Sequence, residues 1–244
     1  MSFRFWRLAV GRFVFISQSA RARLEKLGPL GQKDVVIWNG VSVKDLPSPR
    51  IRGELFLRRF GWPEDSLIVG LTGQMAEAKG HEDFIAAAGQ VARINPRARF
   101  VIGGKPTGPF FSTLRALITA KGLNGVAEFS GWLEASTQFF ESIDLFVLAS
   151  RHDEGFGLVL AEAGERGVAA VATRSGGAPE IIVDNETGIL VQKAKPEEMA
   201  AAIQKLLSDE PLREATGRRA RLRVSRLFNL ARQCDEFTKI LASI

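Results

Sequence analysis

SRHDEGFGLVLAEA, residues 150–163, leads from the end of an apolar run (DLFVLAS, 144–150) through a glycine-bearing loop into a segment of helical period. Strand, loop and helix in that order make a βα unit, and so short an apolar strand suits a parallel sheet buried on both faces. Two carboxylates frame the unit. Glu154 lies in the loop and Glu162 lies eight positions on, about two turns along the helix, so the pair can address two parts of one elongated ligand. Gly155 and Gly157 admit close backbone approach, and the N–H groups of Leu158 and Val159 at the helix start offer a site for phosphate oxygens. Alone, a Gly-x-Gly after a strand is weak evidence, and Glu162 reads as readily as a solvated helix residue.

The surroundings repeat the pattern. Downstream, residues 167–180 (GVAAVATRSGGAPE) give a buried strand, a glycine pair and an acid, followed by DNETGILV at 184–191. Upstream, residues 71–81 (LTGQMAEAKGH) again pass from strand to loop to helix start, with Lys79 where an ammonium can meet a phosphate. Alternating periodicity predicts strands at 13–17, 35–38, 67–72, 99–103, 127–130, 145–149, 169–173 and 189–191. Helices are predicted at 18–27, 81–94, 111–121, 157–166, 196–207, 211–224 and 230–244. The fold class is therefore α/β, a Rossmann-like parallel sheet with flanking helices.

The bulk properties agree. A chain of 244 residues, 45% hydrophobic and 25% charged, buries a full α/β domain and part of another, which excludes a disordered chain. Its net charge of +6 suits phosphate-bearing ligands, nucleic acid or an anionic membrane, and chooses among none of them. One cysteine, Cys234, excludes an intrachain disulfide and a cysteine-based zinc site, so a reducing, cytoplasmic setting is expected. No apolar run approaches the ~18 residues that cross a bilayer. Residues 1–20, with Arg4, Arg7 and Arg12, read as a severed piece of domain rather than a transit or membrane-surface helix. Residues 41–50, with Pro47 and Pro49, read as a linker.

These segments resemble glycosyltransferase family 4, a group 1 glycosyltransferase family of the two-domain GT-B architecture. The likeness rests on Glu-x7-Glu (Glu154 and Glu162), on WNGV at 38–41, GQMAEAKGH at 73–81 and VIGG at 101–104, and on EFSGW at 128–132 and DLFVLAS at 144–150, all in register. It implies a retaining, metal-independent transfer of sugar from a nucleoside-diphosphate sugar, with no cofactor, by a chain that holds the donor half. Residues 1–40 would then be a remnant of the acceptor domain with the interdomain strand, 41–225 the donor-binding domain, and 226–244 the helix that crosses back. Both end segments are expected to expose apolar surface.

Carried over by position, the resemblance assigns Glu162 to the ribose hydroxyls and Glu154 to the donor sugar. The diphosphate falls to Lys79 and to the loop and helix start formed by Gly155, Phe156, Gly157, Leu158 and Val159. Gly73, Gln74, Gly104 and Lys105 belong to the same donor site, and Gly131, Trp132 and Leu133 lie against the base. Trp132 itself reads as core packing rather than a stacking platform, and His81 and His152 as a helix-start and a loop residue without metal-ligand companions. In one departure, Gln74 stands where the family commonly has arginine, which shifts phosphate neutralisation onto Lys79 or Lys105. In another, Glu165 and Arg166 stand where small or apolar residues are usual, and the sequence offers no account of them.

The expected partner is a UDP-, GDP- or ADP-sugar, with a separate acceptor domain or a second copy completing the site. A rival reading is a non-catalytic nucleotide-sugar-binding or partner module. Nucleic acid is disfavoured, because Arg213, Arg218, Arg219, Arg221 and Arg223 read as the solvated face of a helix. That stretch is also the expected place of any contact with the inner face of an anionic membrane.

Overall fold

The computed structural model describes residues 10–43, 54–133 and 136–243. The elements begin with β1 (Val14–Phe15), α1 (Gln18–Glu25), β2 (Val35–Val36), α2 (Glu54–Phe60), β3 (Leu67–Thr72), a 3-10 turn (Glu77–Lys79), α3 (His81–Ile94), β4 (Ala98–Gly103) and α4 (Pro109–Ala120). They continue with β5 (Ala127–Gly131), α5 (Ser136–Glu141), β6 (Leu145–Leu148), α6 (Leu158–Glu165), β7 (Ala169–Thr173), α7 (Ala178–Ile181), β8 (Ile189–Val191), α8 (Pro196–Ser208), α9 (Glu210–Leu227) and α10 (Leu230–Leu241). Most of the proline-bearing linker, together with Arg4 and Arg7, lies outside the described residues.

Six parallel strands form the main sheet in the order β5-β4-β3-β6-β7-β8, while β1 and β2 pair in parallel by themselves. Winding runs outward from β3 through β4 to β5, then restarts at β6 on the other side. The carboxyl ends of β3 and β6 therefore flank the point where an open α/β sheet parts to admit a ligand.

Alternation along the strands feeds two apolar layers. Val69, Leu71, Leu145, Val147 and Val171 face a layer with Phe84, Val91, Leu114 and Ile203 from α3, α4 and α8. Ile68, Phe146, Leu148 and Ala170 face the opposite layer with Phe56, Phe139, Phe140, Leu160, Val224 and Phe228. Every residue of β6 and β7 is buried, and each buried Phe or Val side chain contributes roughly 1.5–3 kcal/mol. Gly70 and Gly103 leave room for the Phe139 ring, which a β-carbon would meet at 2.8 and 2.9 Å.

All eight expected strands form, with ends differing by one or two residues. The unread elements are α2, α5, α7 and the 3-10 turn, each seven residues or fewer and so too short to show a helical period. The ends expose apolar surface as expected: Ile16, Leu27, Leu230, Phe237 and Leu241 all stand in solvent. α10 buries none of its residues. The N-terminal segment is nonetheless tied to the start of α10, since Val41 N–H donates to Phe228 O (2.8 Å) and Leu230 N–H to Val41 O (3.0 Å).

The solvated arginine face is a correction. Arg218 and Arg219 are exposed, but Arg213 is 4% exposed and donates to Leu206 O at 3.0 Å, at the end of α8. Arg221 donates to Glu165 O (3.1 Å) at the end of α6, and Arg223 to Ile181 O and Glu180 O (both 2.8 Å) at the end of α7. α9 thus uses its guanidiniums to satisfy the terminal carbonyls of three helices, where positive charge also meets the negative end of each helix dipole.

Candidate functional site

Glycine stands at or just past the ends of three adjacent strands, β3, β4 and β5. Gly73 N–H donates to Gly103 O (3.3 Å) and Gly104 N–H to Gly131 O (3.2 Å), which continues the sheet ladder past its last regular residues. A β-carbon on Gly104, whose φ is +136°, would stand 2.4 Å from Gly73 O. This bare backbone floor opens into a cavity of about 800 Å³. Of the residues expected from sequence, Gly73, Gln74, Gly104, Lys105, Gly131, Trp132, Leu133, Val159 and Glu162 line it. Burial holds the Glu162 carboxyl above the usual carboxylate range. Trp132 is 72% exposed, which overturns the core reading: it follows Gly131 at φ +67°, and that turn throws the ring outward. Thr72, Met75, Thr107 and Phe139 also line the cavity and escaped the sequence reading. The Phe139–Phe140 pair was their one visible signal.

Lys79 and Glu154 form a second group. Lys79 Nζ stands 2.7 Å from Glu154 Oε1, and the Ser150 hydroxyl donates to the same oxygen. The two groups meet on α6, which starts beside Glu154 and carries Val159 and Glu162. Gly157, at φ +93°, precedes the helix with no side-chain cap, so the N–H groups of Leu158 and Val159 have no helical acceptor. The Phe156 ring turns away from this site into the core, 5.6 Å edge-to-face from Phe228. Leu158 lies in a neighbouring cavity of about 280 Å³ together with Glu162, Glu165 and Arg166.

That cavity also accounts for the second departure. Glu165 and Arg166 are both buried and paired at 2.8 Å, and Arg166 reaches Glu141 of α5 at 3.1 Å. A buried pair of this kind joins α6 to α5 at a desolvation cost.

The Lys79 turn is fixed by its neighbours. Gly80, at φ +69°, leads into α3, and its β-carbon position lies 1.9 Å from Ala149 O. Arg151 clamps the first turn of α3 from β6, meeting Glu82 at 2.6 Å and both oxygens of Asp83 at 2.7 and 2.8 Å. The Asp83 and Glu82 carboxylates hold the guanidinium firmly in its charged form. His152 is exposed, as a loop residue should be.

His81, next to the turn, is fully buried, and its ring faces the Ala76 backbone without a well-aligned hydrogen bond. Burial lowers its pKa from 6.5 to about 4. The unfolded chain therefore takes up a proton that the folded chain refuses, and stability present above pH 6.5 is lost as pH falls toward 4. From pH 8 to pH 5 this loss amounts to about 2 kcal/mol. Denaturant unfolding at both pH values should show that His81→Phe, which keeps the ring against Phe110, removes most of it. An unchanged pH dependence would contradict the assignment. Among the described residues no three His, Cys, Asp or Glu side chains stand close enough together to hold a metal ion, and no helix is long and apolar enough to cross a membrane.

A parallel sheet with a glycine floor at its switch point, and a glycine-led helix beside it, defines a Rossmann-like α/β domain. The group 1 glycosyltransferase model matches residues 54–223, so the chain belongs to the glycosyl transferases group 1 family. It is 30% identical, over 74% of its length, to the lipopolysaccharide core biosynthesis glycosyltransferase LpsE of Rhizobium meliloti, and 33% identical over 82% to the alpha-D-kanosaminyltransferase of Streptomyces kanamyceticus. It spans about half of each, 51%. The crystal structure of the C-terminal domain of the group 1 protein LpcC from Francisella tularensis matches 78% of the chain, over its own full length, at TM-score 0.69 and 28% identity. Anabaena HepE, solved in complex with UDP and glucose, shares the fold over 95% of the chain and 63% of its own, at TM-score 0.85 and 24% identity. The α/β, Rossmann-like fold of GT-B type expected from sequence is thereby established, as is membership of a glycosyltransferase family.

Proposed function

We propose that this chain is the donor-binding part of a glycosyltransferase that takes a sugar from a nucleoside diphosphate and passes it, with retention and without a metal, to an acceptor held largely by another domain. The observation that carries this reading is the cavity of about 800 Å³ over three glycine-ended strands, with half-buried Glu162 on its wall. Backbone so bare lets a flat base and a ribose lie close, and Glu162 accepts from the ribose hydroxyls. Trp132, in solvent at the rim, can lie along the base. The UDP and glucose held by HepE, a protein of the same fold, belong to the ligand class in question.

The chemical demand in such a transfer is to stabilise the negative charge that grows on the departing diphosphate. Lys79 supplies a full positive charge, and the N–H groups of Leu158 and Val159 supply oriented dipoles at a helix start. Gln74 donates hydrogen bonds where related chains place a guanidinium, and Lys105 lines the same cavity and can make up the charge. Glu154 faces the sugar once the diphosphate has drawn Lys79 away.

Calorimetric titration with UDP, GDP and ADP and their sugar conjugates, without metal, tests this. One nucleotide class should bind, and Glu162→Ala should weaken it by ~1.5–3 kcal/mol, as for a charged hydrogen bond. Failure of every nucleotide to bind at millimolar concentration would overturn the donor reading.

A further inference from the structure

Ser17, Trp38 and Glu180 have no role assigned so far; Ser17 meets the loop that carries Glu154, and Glu180 ties together the segments on either side of it. The Glu180 carboxylate, half-buried, accepts from Gln18 N–H and Ser19 N–H (both 2.9 Å) and from Trp38 Nε1–H (2.8 Å). It therefore occupies the N-terminus of α1, where two free N–H groups and the helix dipole favour an anion. Glu180 is itself held, because its backbone carbonyl accepts from Arg223.

Ser17 completes a circuit. Fully buried, it caps α1 by accepting from Ala20 N–H (2.9 Å), and it donates its hydroxyl proton to Gly155 O. The Ile16 side chain comes within 3.3 Å of where a β-carbon on Gly155 would lie. On the opposite side, the backbone leading to Glu180 grips the same loop. Gly177 N–H donates to Glu154 O and Gly176 N–H to Asp153 Oδ1, each at 3.1 Å. Three segments distant in sequence, 16–19, 153–156 and 175–180, thus close on one another.

Resting on the donor reading of the Glu154 loop, we infer that Ser17 and Glu180 are positioning residues: they hold that loop so that Glu154 meets the sugar of a bound nucleotide-sugar. The β1–α1 segment belongs to the side of the molecule where the acceptor is expected. Its contact with Gly155 therefore makes the sugar-facing carboxylate depend on that side being in place. The floor of the nucleotide cavity, Gly73, Gly104 and Gly131, lies outside this circuit, and α6 joins the two. Loss of the circuit should weaken the sugar conjugate more than the free nucleotide, because the conjugate alone meets Glu154 through its sugar.

Two measurements on Ser17→Ala and Glu180→Gln test this. Hydrogen exchange of the ligand-free protein should show the amides of 154–157 exchanging at least tenfold faster, with those of β6 and β7 unchanged. Titration with UDP and UDP-glucose, GDP and GDP-mannose, and ADP and ADP-glucose should show the sugar conjugate that binds losing at least fivefold more affinity than its free nucleotide. Ser17→Thr, which retains the hydroxyl, should restore both. Unchanged loop exchange would overturn the inference, as would equal losses for nucleotide and conjugate. If wild-type protein binds no nucleotide, the donor reading fails, and with it the role given to the circuit; loop exchange still reports separately whether Ser17 and Glu180 hold the loop.

Discussion

Glu154→Gln should tighten the binding of free nucleoside diphosphate and at the same time abolish most donor turnover. In the ligand-free protein Glu154 Oε1 is 2.7 Å from Lys79 Nζ, so the ammonium that a diphosphate needs is already engaged. A glutamine leaves Lys79 free, and the affinity for the nucleotide alone should rise several-fold. Turnover should fall because, on the function proposed above, the carboxylate set opposite the sugar is gone. Lys79→Met should act in the opposite sense on binding. It removes the positive charge, worth ~1.5–3 kcal/mol in a charged hydrogen bond, and leaves the Glu154 carboxylate unneutralised beside the phosphates. A loss of one to two orders of magnitude is expected. Titration with nucleotide and release of nucleotide from the donor measure the two effects. If both substitutions shift nucleotide affinity in the same direction, the ion pair does not compete with the diphosphate.

Gly176→Ala should be among the most damaging single methyl groups in the molecule. Gly176 sits at φ +51°, and a β-carbon there would lie 1.9 Å from Glu154 O and 2.7 Å from Glu154 N. Neither atom can yield without moving the backbone of the loop itself. Left-handed backbone strain of about 1–2 kcal/mol adds to a displacement cost of about 1–3 kcal/mol. A total loss of about 2–5 kcal/mol is expected, with loss of nucleotide-sugar binding. Gly122→Ala is the control, since Gly122 has φ +69° with nothing within 4 Å of its β-carbon position. It should lose about 1–2 kcal/mol from backbone strain alone and keep the site. Equal losses in denaturant unfolding would show that the clash with Glu154 carries no weight.

The strands were legible because a strand buried on both faces must be apolar throughout, and LFVL at 145–148 can be little else. The glycine loops were legible for a similar reason: a backbone that must approach a ligand or another chain segment admits no other residue. The fate of isolated side chains was less visible. Nothing in the sequence around Trp132 shows that Gly131 turns at φ +67° and places the indole in solvent. Arg213 and Arg218 share one helix, yet the first is buried against Leu206 O and the second is exposed, a distinction set by which face meets α8. The charged partner of Glu154 lies 75 residues away and the partners of the Glu180 carboxylate 142 or more, beyond the reach of local pattern. α5 shows the limit from the other side, since six residues containing Phe139 do not span two helical turns, yet they place a ring in the cavity wall.

The arginines of α9 bear on how the chain can be engineered. Lowering the isoelectric point to improve solubility is ordinarily a matter of replacing whichever basic residues a helix offers. On this helix the charges are of two kinds. Arg218 pairs with neighbouring Glu214 at 3.6 Å in solvent and is open to exchange, as ion pairs of that sort carry little stability. Arg213, Arg221 and Arg223 are fasteners whose planar forks each span to a carbonyl on another element. Lysine would preserve their charge without reproducing that reach. Surface redesign guided by net charge alone would therefore unpick three helix ends while appearing to touch only the exterior.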